Sequence, residues 1–436
     1  MSRRGSTVGR LAGGVLWSAA AATAALAGAG CDTFRAGGAP EMPVWVHHPG
    51  GALSFDYRRA LTATTRQIGE KYEHGKPEID VAHHRVFVGS SDHGLYALTA
   101  ETGDTIWRYE TLASVQCEPL YDPAEDVLYF GSNDGALYKV RAVDGERIWR
   151  FSTNAEVSRR PVLRDGSIYV VNANDTLIAI DATSGKLRWH QHRTPAAGME
   201  VAGYAGPALG TDKVYVAFSD GVVSAYALDD GSEQWPSVDL AAEVETVKGE
   251  VPRYLDVDTT PIVDRGPNGL VVYVASYEGG VVALDAENGT RVWSNPNDRV
   301  VGVTELVLWQ QPAHPARPGR GPEAPPKKLL LAASGLSGLW ALDPNDGHTV
   351  WRRSLPEGGA TAPVPIEGAL LVGTTRYGLF LFSPLDGGVI DAIAPGIGFA
   401  MTPATYGSRA FVMTNGGQFL GVTVQPPPML PLLPKG

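Results

Sequence analysis

Val86–Glu110 reads VFVGSSDHGLYALTAETGDTIWRYE. Two short apolar runs flank a turn, and a third run carries a tryptophan. Leu128–Phe151, LYFGSNDGALYKVRAVDGERIWRF, writes nearly the same pattern again. A unit this small cannot bury its own apolar faces, so its copies must stack on one another.

Eight segments share this grammar. Apolar runs begin near Val86, Leu128, Ile168, Val214, Val272, Leu330, Leu370 and Phe411. They are continuous rather than alternating, as expected of strands covered on both faces. Turn-formers such as Ser91-Asp92-His93-Gly94 and Asn133-Asp134-Gly135 follow, and they supply the positive φ that tight hairpins need. A second turn ends in Gly, with a Trp four residues on: Gly103/Trp107, Gly145/Trp149, Gly185/Trp189, Gly231/Trp235, Gly289/Trp293 and Gly347/Trp351. The seventh copy keeps Gly387 but has Asp391 at the Trp position, and the eighth has neither. Most copies open on a proline (Pro77, Pro119, Pro161, Pro207, Pro261, Pro363 and Pro403), which is tolerated as the first residue of a strand. The expected fold is all-β: an eight-bladed β-propeller of four-stranded antiparallel blades.

The eighth unit, Met401–Val424, runs into Pro426–Pro434, which cannot be a strand, so its outer strand is missing. Two stretches with no repeat around them, Val44-Trp45-Val46 and Tyr57–Gly69, can supply it. Tyr57–Gly69 is the expected closing strand because it lies nearer Pro77. Joining it to the last blade hides the edges an open ring would expose. The chain thus divides into a signal segment at 1–30, a tether and N-terminal strand at 31–56, the propeller at 57–425 and a proline-rich tail at 426–436.

Arg3, Arg4 and Arg10 precede Leu11–Gly30, which is almost wholly small and apolar, and Cys31 follows directly. This is the pattern of a secretory signal. Cys31 is placed as the lipidated first residue of a mature bacterial lipoprotein, whose acyl chains would hold it to a membrane. An uncleaved anchor is the alternative, since the run is just long enough to span a bilayer. Without the signal the chain carries 33 basic and 47 acidic residues, a net charge of −14. That balance argues against nucleic acid and against electrostatic docking on anionic lipid. Cys31 and Cys117 are the only cysteines, so no disulfide framework is expected, and Cys117 reads as a buried, inert thiol.

Two copies are stretched: Trp235 to Trp293 and Trp293 to Trp351 each span 58 residues, against 42 from Trp107 to Trp149. The added residues fall at Pro236–Leu255 and at the proline-rich Gln311–Lys328. Inserted loops on one face are where repeat scaffolds bind partners. The repeated tryptophans read as seals between blades. The turn acids lack the alternating carboxylates of a calcium loop. His47-His48, His83-His84, His190 and His192 lack supporting ligands at metal-site spacing and read as solvated. No GxSxG, HExxH or phosphate-loop pattern is present. No catalytic residue, metal site or cofactor is expected.

GSSDHGLYALTAETGDTIW and GSNDGALYKVRAVDGERIW resemble the repeat of pyrroloquinoline-quinone-type propellers, over about Pro77–Val424. That resemblance implies an eight-bladed propeller and leaves function open, because enzymes and scaffolds both use it. In the quinoprotein dehydrogenases it would imply a quinone packed on an adjacent Cys-Cys disulfide beside calcium and a catalytic Asp. This chain has neither adjacent cysteines nor a CxxCH haem site. A quinoprotein oxidoreductase or a ligand-sensing propeller is therefore the alternative reading.

The lipoprotein signal, the size and the segment Leu255–Pro261, LDVDTTP, are similar to the BamB family of the bacterial barrel assembly machine. The segment looks like the one by which that family touches the barrel subunit BamA. This implies partner-binding roles for Asp256 and Asp258, with Arg253 just before them. The family's second contact loop, which carries Leu and Arg, corresponds to Met199–Tyr204, here MEVAGY without an Arg. Glu200 and Tyr204 are its candidate contact residues. A structural role for the two acids, as local hydrogen-bond acceptors before a strand, is the alternative. The resemblance implies a non-catalytic docking lipoprotein at the periplasmic face of the outer membrane, with a BamA-like partner.

Overall fold

The computed structural model describes residues 51–61, 73–195, 205–240, 254, 256–295, 300–311, 327–355 and 359–425. They form eight four-stranded antiparallel sheets, and no helix occurs among the described residues. The sheets are the blades of an eight-bladed propeller. In blade 1 the strands are Glu78–Asp80, Arg85–Gly89, Gly94–Thr99 and Thr105–Glu110, each paired with the next. Blades 2 to 7 repeat this meander.

Seven prolines stand directly before a first strand; Pro77 precedes Glu78–Asp80 and Pro403 precedes Ala404–Tyr406. Most of these first strands are two or three residues long. Blade 6 has no such proline, and its first strand, Val303–Gln311, runs to nine residues. First strands of neighbouring blades touch one another, so they line the axis of the ring. The second and third strands are buried along almost their whole length, as in Val127–Ser132 and Gly338–Leu342. Their continuous apolar runs are what a strand sandwiched between two other blades requires.

The tryptophans explain how one blade is fastened to the next. Trp107 lies opposite the small Ala97, and the register slips between Ala97 and Leu98. A bulge of this kind re-aims a side chain, and here it turns the indole toward blade 2. There the indole N–H donates to the Ala142 carbonyl at 3.0 Å, and the ring covers Gly145. A Cβ at Gly145 would come within 2.7 Å of the ring, and its φ of +75° also favours glycine. The same donation links Trp149 to Ala182, Trp189 to Leu228, Trp293 to Pro344 and Trp351 to Pro384. Each of these rings, like that of Trp235, covers the turn glycine of the following blade.

The last blade is completed from the other end of the chain. Leu53–Ala60 pairs antiparallel with Gln418–Val424 and forms the fourth strand of blade 8. The closing strand therefore begins four residues before the expected boundary at Tyr57. Trp45 and most of Tyr57–Gly69 lie outside the described residues. One apolar cluster runs from Leu371 and Leu381 of blade 7 through Phe411 and Phe419 of blade 8 to Val86 and Tyr96 of blade 1.

Here the tryptophan is replaced by two different residues. Asp391 takes the Trp position of blade 7, opposite Leu381. Its carboxylate accepts the Leu53 N–H, at the start of the closing strand, at 2.8 Å. No continuous turn exists between Gln425 and Ala52 for an indole to cover; the two ends meet instead by Gln425 N–H donating to the Ala52 carbonyl at 2.7 Å. Tyr57 then does for the seam with blade 1 what Trp does elsewhere. Its hydroxyl donates to the Ala100 carbonyl at 3.0 Å, and its ring covers Gly103.

Alternation of strand direction gives the ring two distinct faces. Turns between first and second and between third and fourth strands emerge on one, the turn face. Turns between second and third strands, and the links from blade to blade, emerge on the other, the connection face. Of the first insertion, Pro236–Asp239 completes the fourth strand of blade 4, Glu233–Asp239, and residues 241–253 and 255 lie outside the described residues. Of the second, Gln311 pairs with Lys327 at the turn-face end of blade 6, and residues 312–326 lie outside the described residues. Both chain exits, Ala52 and Gln425, are also on the turn face.

Candidate functional site on the connection face

The LDVDTTP segment leads into the first strand of blade 5, Ile262–Gly266. Asp256 and Asp258 are buried, at 2% and 7% exposure. Neither carboxylate is presented to solvent, so the geometry fits an internal role for both. The backbone around them is held by hydrogen bonds. The Asp256 carbonyl accepts the Tyr277 N–H at 3.1 Å. Thr259 Oγ1 accepts the Ala275 N–H at 2.9 Å and donates to its carbonyl at 3.1 Å. The relay continues sideways, Gly302 N–H to Tyr277 carbonyl and Gly335 N–H to Gly302 carbonyl. Blades 5 and 6 thus present one continuous backbone shelf on this face.

The shelf carries two half-buried tyrosines and one exposed leucine. Tyr254 and Tyr277 meet edge to face at 5.3 Å, and Leu336, at the next turn, is 65% exposed. The sequence reading singled out none of the three. Leu336 occupies the turn position of Asp92, Asp134, Asn174 and Asp220, and Tyr277 that of Ser91, Asn133, Ala173 and Ser219; those departures from the repeat were the available signal. Arg253, Glu200, Tyr204 and Cys31 lie outside the described residues.

The axial end of this face is crossed by ion pairs. Arg159, just before the first strand of blade 3, reaches Glu305 of blade 6 at 3.0 Å and donates to the Asp258 carbonyl at 3.0 Å. Arg160 pairs with Glu78 of blade 1 at 2.7 Å and with Glu118 at 2.8 Å. Burial works against the Arg160 charge, but the two carboxylates outweigh it and hold its pKa above the ordinary value. Links between blades that are not neighbours can only cross the central channel. Cys117 sits beside them, its Sγ 3.1 Å from the Arg159 carbonyl, and burial pushes the thiol up to about 12. At neutral pH it is therefore a thiol with little nucleophilic character.

Two groups elsewhere come within metal-ligand reach, Asp80/His83/Asp126 and Asp343/Asp346/His348. In the first, Arg85 stands between the two carboxylates, 2.7 Å from Asp80 and 2.5 Å from Asp126, where a cation would sit. In the second, Asp343 and Asp346 accept the Asn345 and His348 backbone amides of their own turn. The residues also fail to fit a quinone of the dehydrogenase type. The chain lacks an adjacent cysteine pair, and Arg159 and Arg160 with their partners span the channel.

An eight-bladed ring of PQQ-like repeats with ion pairs bridging its channel defines the chain as a PQQ-type β-propeller. The family model described as "Outer membrane protein assembly factor BamB" matches residues 121–306 and 297–425. The chain belongs to this family. The curated BamB proteins of Yersinia pestis and Legionella pneumophila (strain Paris) are 26% and 27% identical to it. The first match covers 61% of both chains and the second 50% of both. The chain thus spans between half and three fifths of these relatives' length. Among solved structures, BamB from Moraxella catarrhalis has a TM-score of 0.64 at 16% identity, over 85% of this chain and 99% of that one. The quinohemoprotein alcohol dehydrogenase of Comamonas testosteroni has a TM-score of 0.62 at 13% identity, over 89% and 79%. At such identities both show the shared fold alone.

Proposed function

We propose that this protein is a non-catalytic docking component of outer-membrane β-barrel assembly, and that its partner is a BamA-like barrel-assembly subunit. The match of the family model to 121–306 and 297–425 carries this reading. The connection face supports it. The Asp256–Pro261 segment forms the internal spine of a shelf that carries the half-buried Tyr254 and Tyr277 and the exposed Leu336. Aromatic anchors on a rigid frame are the usual source of interface energy, because little side-chain entropy is lost when they are covered. Arg253, Glu200 and Tyr204 complete the proposed contact set. Cys31 carries the lipid anchor, which places the protein at the periplasmic face of the outer membrane.

The test is affinity capture from detergent-solubilised envelopes. Wild type is expected to bring down a barrel-assembly subunit, and Tyr254→Ala/Tyr277→Ala to lose at least ten-fold of it while melting as wild type does. No such subunit with wild type overturns the assembly role. Undiminished capture by the double variant moves the docking site elsewhere.

A further inference from the structure

On the turn face, a mainly apolar groove of about 560 Å³ extends over blade 7 and is bordered by residues of blades 6 and 8. Trp309 of blade 6 and Ile366 of blade 7 line it as buried side chains, and Ile390 is half-buried there. Leu385, at the second turn of blade 7, is 54% exposed in the same groove. Gly407 lines it from blade 8, and its neighbour Tyr406 is 55% exposed. Exposed apolar side chains gathered at one groove mark a surface that another segment covers.

The chain leaves its last blade at this place. Val424 N–H donates to the carbonyl of Ser408, the residue after Gly407, at 2.7 Å, so Gln425 emerges beside the groove. Residues 426–436, PPPMLPLLPKG, come next and lie outside the described residues. We propose that this segment of the same chain occupies the groove and clasps the closing blade to blade 7.

Reach, composition and charge all favour this occupant. Three prolines in the polyproline form span roughly 9 Å, enough to carry Met429 and Leu430 from Gln425 over Gly407. Prolines also lose little conformational freedom on docking, which is why proline-rich segments suit shallow apolar grooves. Met429, Leu430, Leu432 and Leu433 supply four large apolar side chains for the groove, and Lys435 is the segment's one charge. The acid that borders the groove is the exposed Glu367, of sign opposite to Lys435. A second proline-rich stretch, residues 312–326, follows Gln311 at the blade 6 border. It has no Leu, Ile, Val, Met or aromatic residue and carries Arg317, Arg320 and Glu323, so it has little to bury there.

The test places a photoreactive benzophenone residue at position 385 of the full chain and maps its crosslinks by mass spectrometry. Leu385 is exposed, so the replacement leaves the fold intact. A mixture of isotope-labelled and unlabelled protein separates crosslinks within one chain from those between two. The expected product joins position 385 to residues 426–436 of the same chain. Leu430→Asp/Leu432→Asp/Leu433→Asp should lower its yield at least five-fold, and Lys435→Ala about two-fold. Crosslinks to residues 312–326, to a second copy, to another envelope protein or to no polypeptide would each overturn the proposal. So would an undiminished yield in the triple variant.

Discussion

Six seams of this ring are made one way and the closing region another. Between blades 1 and 7 an indole covers a left-handed glycine, and in five of the six seams it also donates to a carbonyl of the next blade. Around blade 8 the same two tasks fall to Asp391 and Tyr57. The cause is the chain break. An indole needs a continuous turn to lie on, and between Gln425 and Ala52 there is none. A carboxylate can instead take the amide that a broken turn exposes. Tyr57 shows that the requirement at a seam is a flat ring with a polar tip rather than tryptophan as such. Arg409 reinforces it, reaching the Ala100 carbonyl at 2.7 Å and Asp56 at 3.5 Å.

If closure depends on the borrowed strand, deleting residues 51–60 should have the largest effect. It uncovers the apolar cluster shared by blades 7, 8 and 1 and leaves an open edge, so loss of the cooperative melt by circular dichroism is expected. A normal melt would show that the ring holds without it. Next, Trp293→Ala, at a seam of the ordinary kind, should cost about 3–5 kcal/mol in denaturant unfolding, the range for truncating a buried large aromatic. Asp391→Ala should cost about 1.5–3 kcal/mol, because it leaves the Leu53 amide without its charged acceptor. Asp391→Trp should not recover this loss, and a stabilised Trp variant would refute the broken-turn explanation. Tyr57→Phe should cost about 1 kcal/mol, since it keeps the ring over Gly103 and removes one hydrogen bond.

The smallest effect is pH-dependent and lies in the same region. Glu73, in the link from blade 8 to blade 1, is 1% exposed and accepts from Ser91 N–H at 2.7 Å. Burial raises its pKa above the ordinary 4.5, more than the bonds from Ser91 and Ser90 lower it. A carboxyl with a raised folded-state pKa binds its proton more tightly in the folded protein. Its contribution to stability is therefore undiminished below pH 4.5 and declines as pH rises toward the folded-state value. Glu73→Gln should remove that decline, so its melting temperature should rise relative to wild type between pH 4.5 and 8. An unchanged difference across that range would contradict the burial argument.

Much of this was legible beforehand because each blade is local. Turn glycines, opening prolines and apolar runs all act within a few residues, so Val86–Glu110 announces its own meander. The closing strand was only partly legible. Tyr57 fell inside the chosen stretch, but its equivalence to Trp107 depends on Gly103, which is distant in sequence. The acids of LDVDTTP were legible as a motif and not as a geometry. Side chains before a strand can point to solvent or inward, and only the surrounding blades set the direction. Asp258 and Glu305 meet one Arg159 although 99 and 146 residues separate them from it.

The residue order by itself determined the repeat, the number of blades and the glycine-tryptophan spacing, because these follow from backbone propensities and from apolar faces that a single unit cannot cover. Tertiary structure decided which ends meet at the closure, and that Asp256 and Asp258 are inside while Leu336 is outside and Tyr254 and Tyr277 are half-buried. Those outcomes depend on ring closure, which brings distant segments together at angles that no local pattern encodes.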